Sequence, residues 1–248
     1  MAHGKRYRQQ YDKVQRDRAY PAAEAVALVK ETASAKFDET VEVHVLLGVN
    51  VRHADEQLRG TLALPHGLGK DVSVAVFAQG QQARDAEAAG ADFVGGQDLV
   101  EKVQDGWTDF DVAISTPDMM KAVGQLGRVL GPQGKMPNPK VGTVTEDVEK
   151  AVTDSKSGKV EYRTDRQAIV HMAIGKASFD NDKLLDNYTA VLDEIVRAKP
   201  ASAKGKYIVS CTLSSTMGPG VRVDTSKGAD RDAVEASAGE TAPEPVTA

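Results

Sequence analysis

Hydrophobic and polar residues alternate along four short stretches of the chain, a pattern typical of half-buried β-strands. These stretches are residues 40–47, 160–163, 170–174 and 207–214. In the first, valine or leucine occupies every odd position, while Thr40, Glu42 and His44 occupy intervening ones. Thr164 and Asp165 follow the second stretch and predict a hairpin between it and the third. We therefore expect an antiparallel sheet with one apolar and one polar face.

Two longer segments carry apolar residues at the spacing of an amphipathic helix. Residues 21–31 begin with Pro21, which suits the first turn of a helix because its missing N–H would have no acceptor there. The apolar side of residues 180–197 consists of Leu184, Leu185, Tyr188, Leu192, Ile195 and Val196. Both helices are expected on one face of the antiparallel sheet.

Between residues 72 and 123, strand-like and helix-like segments alternate, which is typical of a small parallel α/β layer. Strands are expected at 72–78, 92–94 and 111–115, and helices at 81–89, 97–104 and from Pro117 onward. Residues 126–144 contain too many glycines and prolines for regular structure. Thr145 is expected to cap a further helix that ends near Ser157 and Gly158.

Glycines stand at both crossings between the antiparallel pattern and the α/β pattern. Gly67 and Gly69 lie at the first crossing and Gly158 lies at the second. Because glycine absorbs backbone rotation at little energetic cost, these three residues are candidates for a hinge. The pattern predicts an outer domain of residues 1–66 plus 159–225 and an inner domain of residues 67–158.

The net charge of −5 is unevenly distributed. Residues 1–66 and 159–228 together carry 21 Lys and Arg against 17 Asp and Glu, whereas residues 67–158 carry 9 against 14. The outer segments are thus suited to meet a polyanion, although a small positive excess is also ordinary for a protein surface. Residues 226–248 lack periodicity and are rich in acidic residues, which predicts a disordered acidic tail.

Targeting and redox signals are scarce in the sequence. No apolar run approaches the ~20 residues of a membrane helix, and no apolar stretch follows the basic N-terminus as in a secretory signal. The single cysteine, Cys211, excludes an internal disulfide. These features predict a cytoplasmic protein with no membrane segment.

The sequence does not match known catalytic or nucleotide-binding motifs. A phosphate-binding loop needs a glycine five residues before its Gly-Lys pair and a hydroxyl after it, which Gly69-Lys70 and Gly134-Lys135 both lack. The histidines show no metal-ligand spacing. Cys211 lies on an apolar strand face, where cysteine usually acts as a small hydrophobic residue, and a Cys–His nucleophilic pair stays an open alternative. We expect that the protein is not an enzyme and that it binds neither a metal ion nor a cofactor.

The polar face of the predicted sheet is the feature that points to a ligand. Its members are Thr40, Glu42, His44, Arg163, His171, Ser210, Thr212 and Ser214. Hydroxyls with scattered cations suit contacts to the 2′-hydroxyls, phosphates and base edges of folded RNA, whereas a plainly solvated sheet face is an equal alternative. Phe37, just before the first strand, is either a base-stacking residue or a lid on the core.

Several local motifs resemble one known family. They are AKFDETVEV at 35–43, RGT at 59–61, LPHGLGK at 64–70, AGAD at 89–92, DFD at 109–111, LGRVLGP at 126–132, MPNPK at 136–140, GKASF at 175–179 and STMGP at 215–219. In this order they resemble the bacterial type of the ribosomal protein L-one family, large-subunit proteins of the mobile stalk beside the tRNA exit site. The resemblance extends from Gly4 to about Asp224.

The resemblance implies an α+β outer domain, with an antiparallel split βαβ-like sheet and helices on one face, and an inserted three-layer α/β domain. It implies binding to the stalk region of large-subunit rRNA, release of deacylated exit-site tRNA and repression of the protein's own operon mRNA, by a chain that is monomeric when free. The family's RNA contacts map onto Lys36, Phe37, Thr40, Glu42, Ser210, Thr216, Met217 and Gly218, with Arg163 and Lys176 as further contacts.

Two other classes of function stay open on the sequence. A nucleotide-dependent enzyme would use the inner α/β layer, and a protein-interaction adaptor would use the acidic inner domain and tail.

Overall fold

The computed structural model describes residues 4–225, so the predicted tail at 226–248 lies outside the described residues. The chain forms two compact units. Unit 1 contains the described residues up to Leu58, the segment Leu64–Gly69 and the described residues from Tyr162 onward. Unit 2 contains Arg59–Ala63 and Lys70–Glu161.

The helices and strands are named in chain order. They are α1 (Lys5–Tyr11), α2 (Ala22–Thr32), β1 (Thr40–Leu47), β2 (Arg59–Ala63), β3 (Val74–Phe77), α3 (Gln81–Ala88), β4 (Phe93–Gly95), α4 (Gln97–Gln104), β5 (Val112–Ser115), α5 (Met120–Val123), α6 (Gly127–Leu130), α7 (Val148–Lys156), β6 (Lys159–Arg163), β7 (Ile169–Lys176), α8 (Asn181–Arg197), β8 (Ile208–Ser215) and β9 (Val221–Val223). Single 3-10 turns occur at Ala54–Glu56, Gly124–Leu126 and Pro139–Val141.

Unit 1 is built on an antiparallel four-stranded sheet with the strand order β7-β1-β8-β9. The helix α8 connects β7 to β8, and β1 lies between these two strands, which is a split βαβ arrangement. Every second residue of β1 is buried, as the alternation predicted. The helices α2 and α8 contact each other and the sheet. Burying a valine or leucine side chain stabilises a fold by ~1.5–3 kcal/mol, so this apolar face holds the unit together.

One irregularity in β7 decides which of its side chains are exposed. Val41 pairs with Gly175, but Glu42 pairs with Ala173, so β7 carries one extra residue at Ile174. Because side chains on a strand alternate between faces, a one-residue bulge reverses the order beyond it. Lys176 therefore lies opposite Thr40 on the exposed face and not in the core.

Unit 2 contains a parallel three-stranded sheet with the order β4-β3-β5, as predicted for the α/β part. The strand β3 is buried on both sides. One core cluster includes Phe77, Val100 and Leu126, and a second includes Val76 and Val152. Since neighbouring residues of β3 point to opposite faces, apolar packing covers both sides of the sheet.

The structure corrects three expectations for chain segments. The strand β6 pairs with β2 in a separate two-stranded sheet, and only an isolated bridge between Thr164 and Val170 remains of the predicted hairpin. The segment 126–144 is not wholly irregular, since it includes α6 and a 3-10 turn. The cap of α7 is Asp147, whose carboxylate accepts the N–H of Lys150, while Thr145 accepts the N–H of Asp147.

Three further elements were not predicted, namely α1, β2 and β9. All of them are short, and β9 has only three residues. A three-residue strand offers too few positions for a period of two to be recognised.

The bulge makes Gly175 sensitive to substitution. Its φ of 153° is in a region that residues with a side chain rarely adopt, and an added Cβ would lie 2.9 Å from both Leu184 and Phe179. We expect Gly175→Ala to lower the free energy of unfolding by ~1–3 kcal/mol, because overpacking adds to backbone strain. Urea titration measures this. Gly205→Ala is the control, since Gly205 also has a positive φ but no neighbour within 4 Å. Equal losses in both variants would contradict the packing argument.

Candidate nucleic-acid interface

The exposed side of the four-stranded sheet is the candidate interface and is called here the open face. It consists of Thr40, Glu42, His44, His171, Lys176, Ser210, Thr212 and Ser214. The β-ladder sets Glu42 directly opposite Ser214 and His44 opposite both His171 and Thr212. All eight side chains are partly or fully exposed. The open face thus combines hydroxyl groups, two imidazoles, one ammonium and one carboxylate.

Two segments distant in sequence meet at the carboxylate of Glu39, at one end of the open face. Oε1 accepts the N–H of Ala35 at 2.7 Å, and Oε2 accepts the N–H of Met217 at 2.9 Å. We call this arrangement the Glu39 clamp. Only 1% of Glu39 is exposed to solvent, so its charge depends on these donors and not on water.

The clamp also sets the protonation state of Glu39. Burial alone would raise the pKa of this carboxyl, but hydrogen bonds from the backbone N–H groups of Ala35 and Met217 outweigh it. The net effect is a pKa below the ordinary value of 4.5. The carboxylate is therefore ionised at neutral pH and keeps both backbone segments bonded.

Exposed apolar side chains flank the clamp on both sides. Phe37 is 57% exposed and Met217 is 53% exposed, and each lies within two residues of a clamped backbone N–H or of Glu39 itself. Lys36, next to Phe37, is also exposed. Phe37 is therefore not the lid on the core that the sequence left open as an alternative. Two exposed apolar side chains beside one clamp form a candidate contact surface.

Thr216 binds to the backbone at the start of β1. Its hydroxyl oxygen accepts the N–H of Thr40 at 3.0 Å and lies 3.3 Å from the carbonyl oxygen of Thr40, to which it donates. The backbone N–H of Thr216 donates to the same carbonyl at 3.0 Å. The Thr40 hydroxyl in turn accepts from the Lys176 ammonium at 2.9 Å. Thr40, Lys176 and Thr216 are thus one connected polar group.

The glycines of the turn at residues 216–220, called here the 216–220 turn, are required by packing. A Cβ on Gly218 would lie 2.4 Å from the hydroxyl oxygen of Ser215, and one on Gly220 would lie 2.9 Å from Thr212. The N–H of Gly218 donates to the carbonyl of Ser215 at 3.2 Å. The turn therefore lies tightly against the end of β8, and larger residues would push it away.

His44 and His171 form a directly bonded pair across the strands. Their Nδ1 atoms are 2.8 Å apart, so one nitrogen must donate and the other accept. Nε2 of His44 lies 2.9 Å from the Ser214 hydroxyl, and Nε2 of His171 lies 3.5 Å from an Asp165 carboxylate oxygen. Burial, and next the charge of His171, lower the pKa of His44 below its ordinary 6.5. The 2.8 Å separation leaves room for one proton between the two Nδ1 atoms.

Arg163 is not on the open face, contrary to the sequence-based prediction. It belongs to β6, which pairs with β2 and not with β7. It lines a cavity of about 650 Å³ together with Arg52 and Arg166. The alternation of residues 160–163 was read correctly as a strand, but the partner strand was wrong.

The three glycines predicted as hinge residues all have positive φ angles, which are 62° at Gly67, 67° at Gly69 and 94° at Gly158. Gly67 and Gly69 belong to unit 1, and Gly158 belongs to unit 2. A Cβ on Gly69 would lie 2.5 Å from the Phe179 ring. At this position, glycine is therefore also required by local packing.

Other candidate chemistries receive no support from the geometry. Cys211 is buried, and burial raises the pKa of its thiol to about 11. Its sulfur contacts the Tyr188 hydroxyl at 3.7 Å, as a core residue would.

No group of His, Cys, Asp and Glu among residues 4–225 is arranged to hold a metal ion. In the same range, no helix is both long and apolar enough to cross a membrane.

Sequence reasoning missed Glu39 and the histidine pair. Glu39 directly precedes β1, where an acidic residue looks like an ordinary solvated loop position. His44 and His171 are 127 residues apart, and their contact depends on the strand register. The one available signal was that both histidines had been assigned to the polar face of a single sheet.

The Glu39 clamp predicts a strong effect of a nearly isosteric change. Glu39→Gln removes the charge and turns one acceptor into a donor that faces the Ala35 or Met217 N–H. We expect a loss of ~1.5–3 kcal/mol in unfolding free energy at pH 7, measured by urea denaturation. Because the pKa of Glu39 is lowered in the fold, this difference should shrink as acid protonates the wild type. Asp38→Asn is the control, since Asp38 accepts from Ser178 alone at the exposed surface. A pH-independent difference would contradict the clamp.

The histidine pair predicts a pH effect of defined sign. A His44 pKa below that of the unfolded chain means that its contribution to stability is complete above pH 6.5 and is lost as the pH falls towards the folded-state pKa. Unfolding free energy should therefore fall more steeply between about pH 7.5 and about pH 5 in the wild type than in His44→Gln. Parallel profiles for the two proteins would exclude His44 as the source.

Comparison with known protein families identifies the family of the chain. A model described as the Ribosomal protein L1p/L10e family matches residues 29–219, well over half of the chain. The matched span includes β1, the Glu39 clamp and the turn as far as Pro219, and it confirms the resemblance found in the sequence motifs. This is not an enzyme family, and its members are structural, rRNA-binding proteins of the large ribosomal subunit. The chain therefore belongs to the Ribosomal protein L1p/L10e family.

Proposed function

We propose that the open face, the Glu39 clamp and the 216–220 turn bind the stalk region of large-subunit rRNA. The observation that carries the proposal is the clamp, because it brings exposed Phe37 and exposed Met217 to one end of a hydroxyl-rich sheet face. Family membership supports rRNA as the class of ligand.

The chemical composition of the open face suits structured RNA better than a simple polyanion. Lys36 and Lys176 supply charge for phosphates, while Thr40, Ser210 and Ser214 supply hydroxyls that can donate or accept. Glu42 repels phosphate, so its role in a complex is to accept from a 2′-hydroxyl or a base amine. A face with these groups at fixed spacing binds one RNA shape more tightly than others.

The apolar groups at the end of the face add affinity without adding charge. Phe37 offers an aromatic surface for a base, and the thioether side chain of Met217 adapts to an irregular RNA surface. Because Gly218 packs tightly against Ser215, the turn stays close to the end of β8, and the RNA backbone has room to approach it. Arg163 lies beside Arg52 and Arg166, and we propose this cationic cluster as a secondary phosphate contact.

We extend the proposal to the finer roles that the resemblance implies. Residues 1–66 plus 159–225 act as the RNA-binding domain, residues 67–158 as an inserted domain, and Gly67, Gly69 and Gly158 as the hinge. In the ribosome the protein supports movement and release of deacylated tRNA from the exit site. Outside it, the monomeric cytoplasmic protein represses its own operon mRNA through a similar RNA shape.

Two substitutions in the turn test the primary site. Met217→Asp places a charge beside phosphates, and Thr216→Val removes the hydroxyl that bonds Thr40. We expect Met217→Asp to weaken binding to a stalk rRNA fragment at least tenfold in filter binding, with Thr216→Val following in the same direction. Circular dichroism and urea titration check that both variants stay folded.

Val196→Asp is the matched control for the charge change. Val196 is 54% exposed, close to the 53% of Met217, and lies on α8, which packs on the other side of the sheet. If Met217→Asp and Val196→Asp bind the rRNA fragment equally well, the turn is not part of the interface.

A further inference from the structure

A groove of about 470 Å³ lies between the N-terminal segment of unit 1 and the β8–β9 edge of its sheet. The residues that matter in its walls are Tyr7, Tyr11, Arg16, Thr212, Gly220 and Arg222. The volume falls within the range of about 300–1,000 Å³ that is usual for small-molecule sites. Thr212 belongs to the open face and Gly220 to the 216–220 turn, so the groove is continuous with the proposed interface.

One wall of the groove is aromatic. Tyr7 and Tyr11 are one helical turn apart on α1, and their ring centroids are 5.9 Å apart with planes inclined by 36°. The guanidinium carbon of Arg16 lies 4.8 Å from the centroid of the Tyr11 ring. The helix α1 buries none of its residues, so ring surface lies along the groove rather than in a core.

The aromatic wall is fastened to the sheet by the segment that follows α1. The N–H of Tyr20 donates to the carbonyl of Arg222 at 2.9 Å, and the N–H of Asp224 donates to the carbonyl of Tyr20 at 2.8 Å. The Tyr20 hydroxyl accepts the N–H of Gln15 at 2.9 Å, and Val14 is buried. A ligand would therefore meet walls that are already formed, which lowers the entropy lost on binding.

The charges around the groove favour an anion with a planar group. Arg16 and Arg222 are exposed, whereas Asp17 is the one acidic side chain among the described residues of the lining. Guanidinium groups bind phosphate oxygens in a bidentate manner and also stack on flat rings. Lys5, Arg6 and Arg8 add positive charge along α1.

We propose that this groove binds one unstacked nucleotide of the RNA held by the open face. The base lies against the tyrosine wall, the phosphate lies between Arg16 and Arg222, and the Thr212 hydroxyl faces the ribose. Stacking on aromatic side chains is how proteins usually hold unpaired bases, and it tolerates different sequences. This inference rests on the proposed RNA-binding function and extends it to a second, nucleotide-sized site.

The arrangement fits RNA better than an acidic peptide. A peptide carboxylate would use the arginines but leave the flat tyrosine wall without a planar partner, whereas a nucleotide uses both. Gly220 has no side chain that would narrow the groove. A Cβ at this position would lie 2.9 Å from Thr212.

Binding of full-length variants to deproteinised large-subunit rRNA tests the site. Tyr11→Leu keeps apolar bulk but loses ring stacking, and we expect it to bind about tenfold more weakly. Tyr11→Phe keeps the ring and should bind as the wild type does. Arg222→Gln should reduce the slope of log affinity against log salt by about one phosphate contact.

Matched controls lie in unit 2. Phe93→Leu removes an aromatic ring that is 36% exposed, and Arg84→Gln removes an exposed arginine. Both should bind as the wild type does. Unchanged unfolding midpoints for the Tyr11 variants establish that a loss of binding is not a loss of fold.

Met217→Asp, measured in the same assay, separates this inference from the proposed function. If the wild type does not bind the rRNA, or Met217→Asp binds as tightly as it does, the proposed function fails. If Met217→Asp loses binding while Tyr11→Leu and Arg222→Gln bind like the wild type, only the nucleotide groove fails; this is also the result expected for a peptide site.

Photocrosslinking provides an independent measurement. Irradiated rRNA containing 5-iodouridine crosslinks to aromatic side chains stacked on it. Trypsin cuts after Arg8 and Lys13, so Tyr11 is recovered in the peptide of residues 9–13. We expect crosslinked nucleotide on this peptide in the wild type and its loss in Tyr11→Leu. Crosslinks near Phe37 with none at residues 9–13 would overturn the proposal.

Discussion

A buried carboxylate that must be hydrogen-bonded is the constraint on which the interface depends. Glu39 is almost fully removed from solvent, and its charge would be unstable without the N–H groups of Ala35 and Met217. Breaking one partner of a buried charge costs several kcal/mol, so the two segments cannot separate cheaply. Phe37 and Met217 keep their exposure because a negative charge inside the protein holds the backbone beneath them. The anionic residue that organises the proposed interface is thus buried beneath it.

The residues of the open face could be predicted from sequence wherever apolar and polar positions alternate along a strand without interruption. Thr40, Glu42 and Ser210 were placed on the polar side of the sheet by alternation alone, and the structure agrees. Lys176 could not be placed in this way, because the extra residue at Ile174 reverses the faces of β7. The glycine that permits the reversal looked like an ordinary member of the GKASF motif. Bulges are decided by packing against neighbours, here Leu184 and Phe179, which no local pattern reveals.

Long-range pairing was the second limit of sequence reasoning. The strand at residues 160–163 was recognised, but its partner is the short strand β2, whose five residues show no alternation of apolar and polar positions. Arg163 was therefore assigned to a face that it does not share. The parallel sheet of unit 2 was easier to predict from the sequence, because buried strands and amphipathic helices alternate there over a long stretch. The family motifs indicated RNA as the class of ligand, whereas contacts such as the Glu39 clamp depend on the three-dimensional fold.

The position of β1 in the sheet has a consequence for the protein during its own synthesis. The central strand is made early, but its two neighbours, β7 and β8, come from far later in the chain, and Met217 follows Glu39 by 178 residues. A nascent chain that still lacks β8 leaves Glu39 without the N–H of Met217 and leaves β1 without one of its two neighbouring strands. Closure over such a separation is slow, since contacts distant in sequence must overcome loop entropy first. The proposed interface therefore forms late in synthesis, once β8 and the 216–220 turn have left the ribosome.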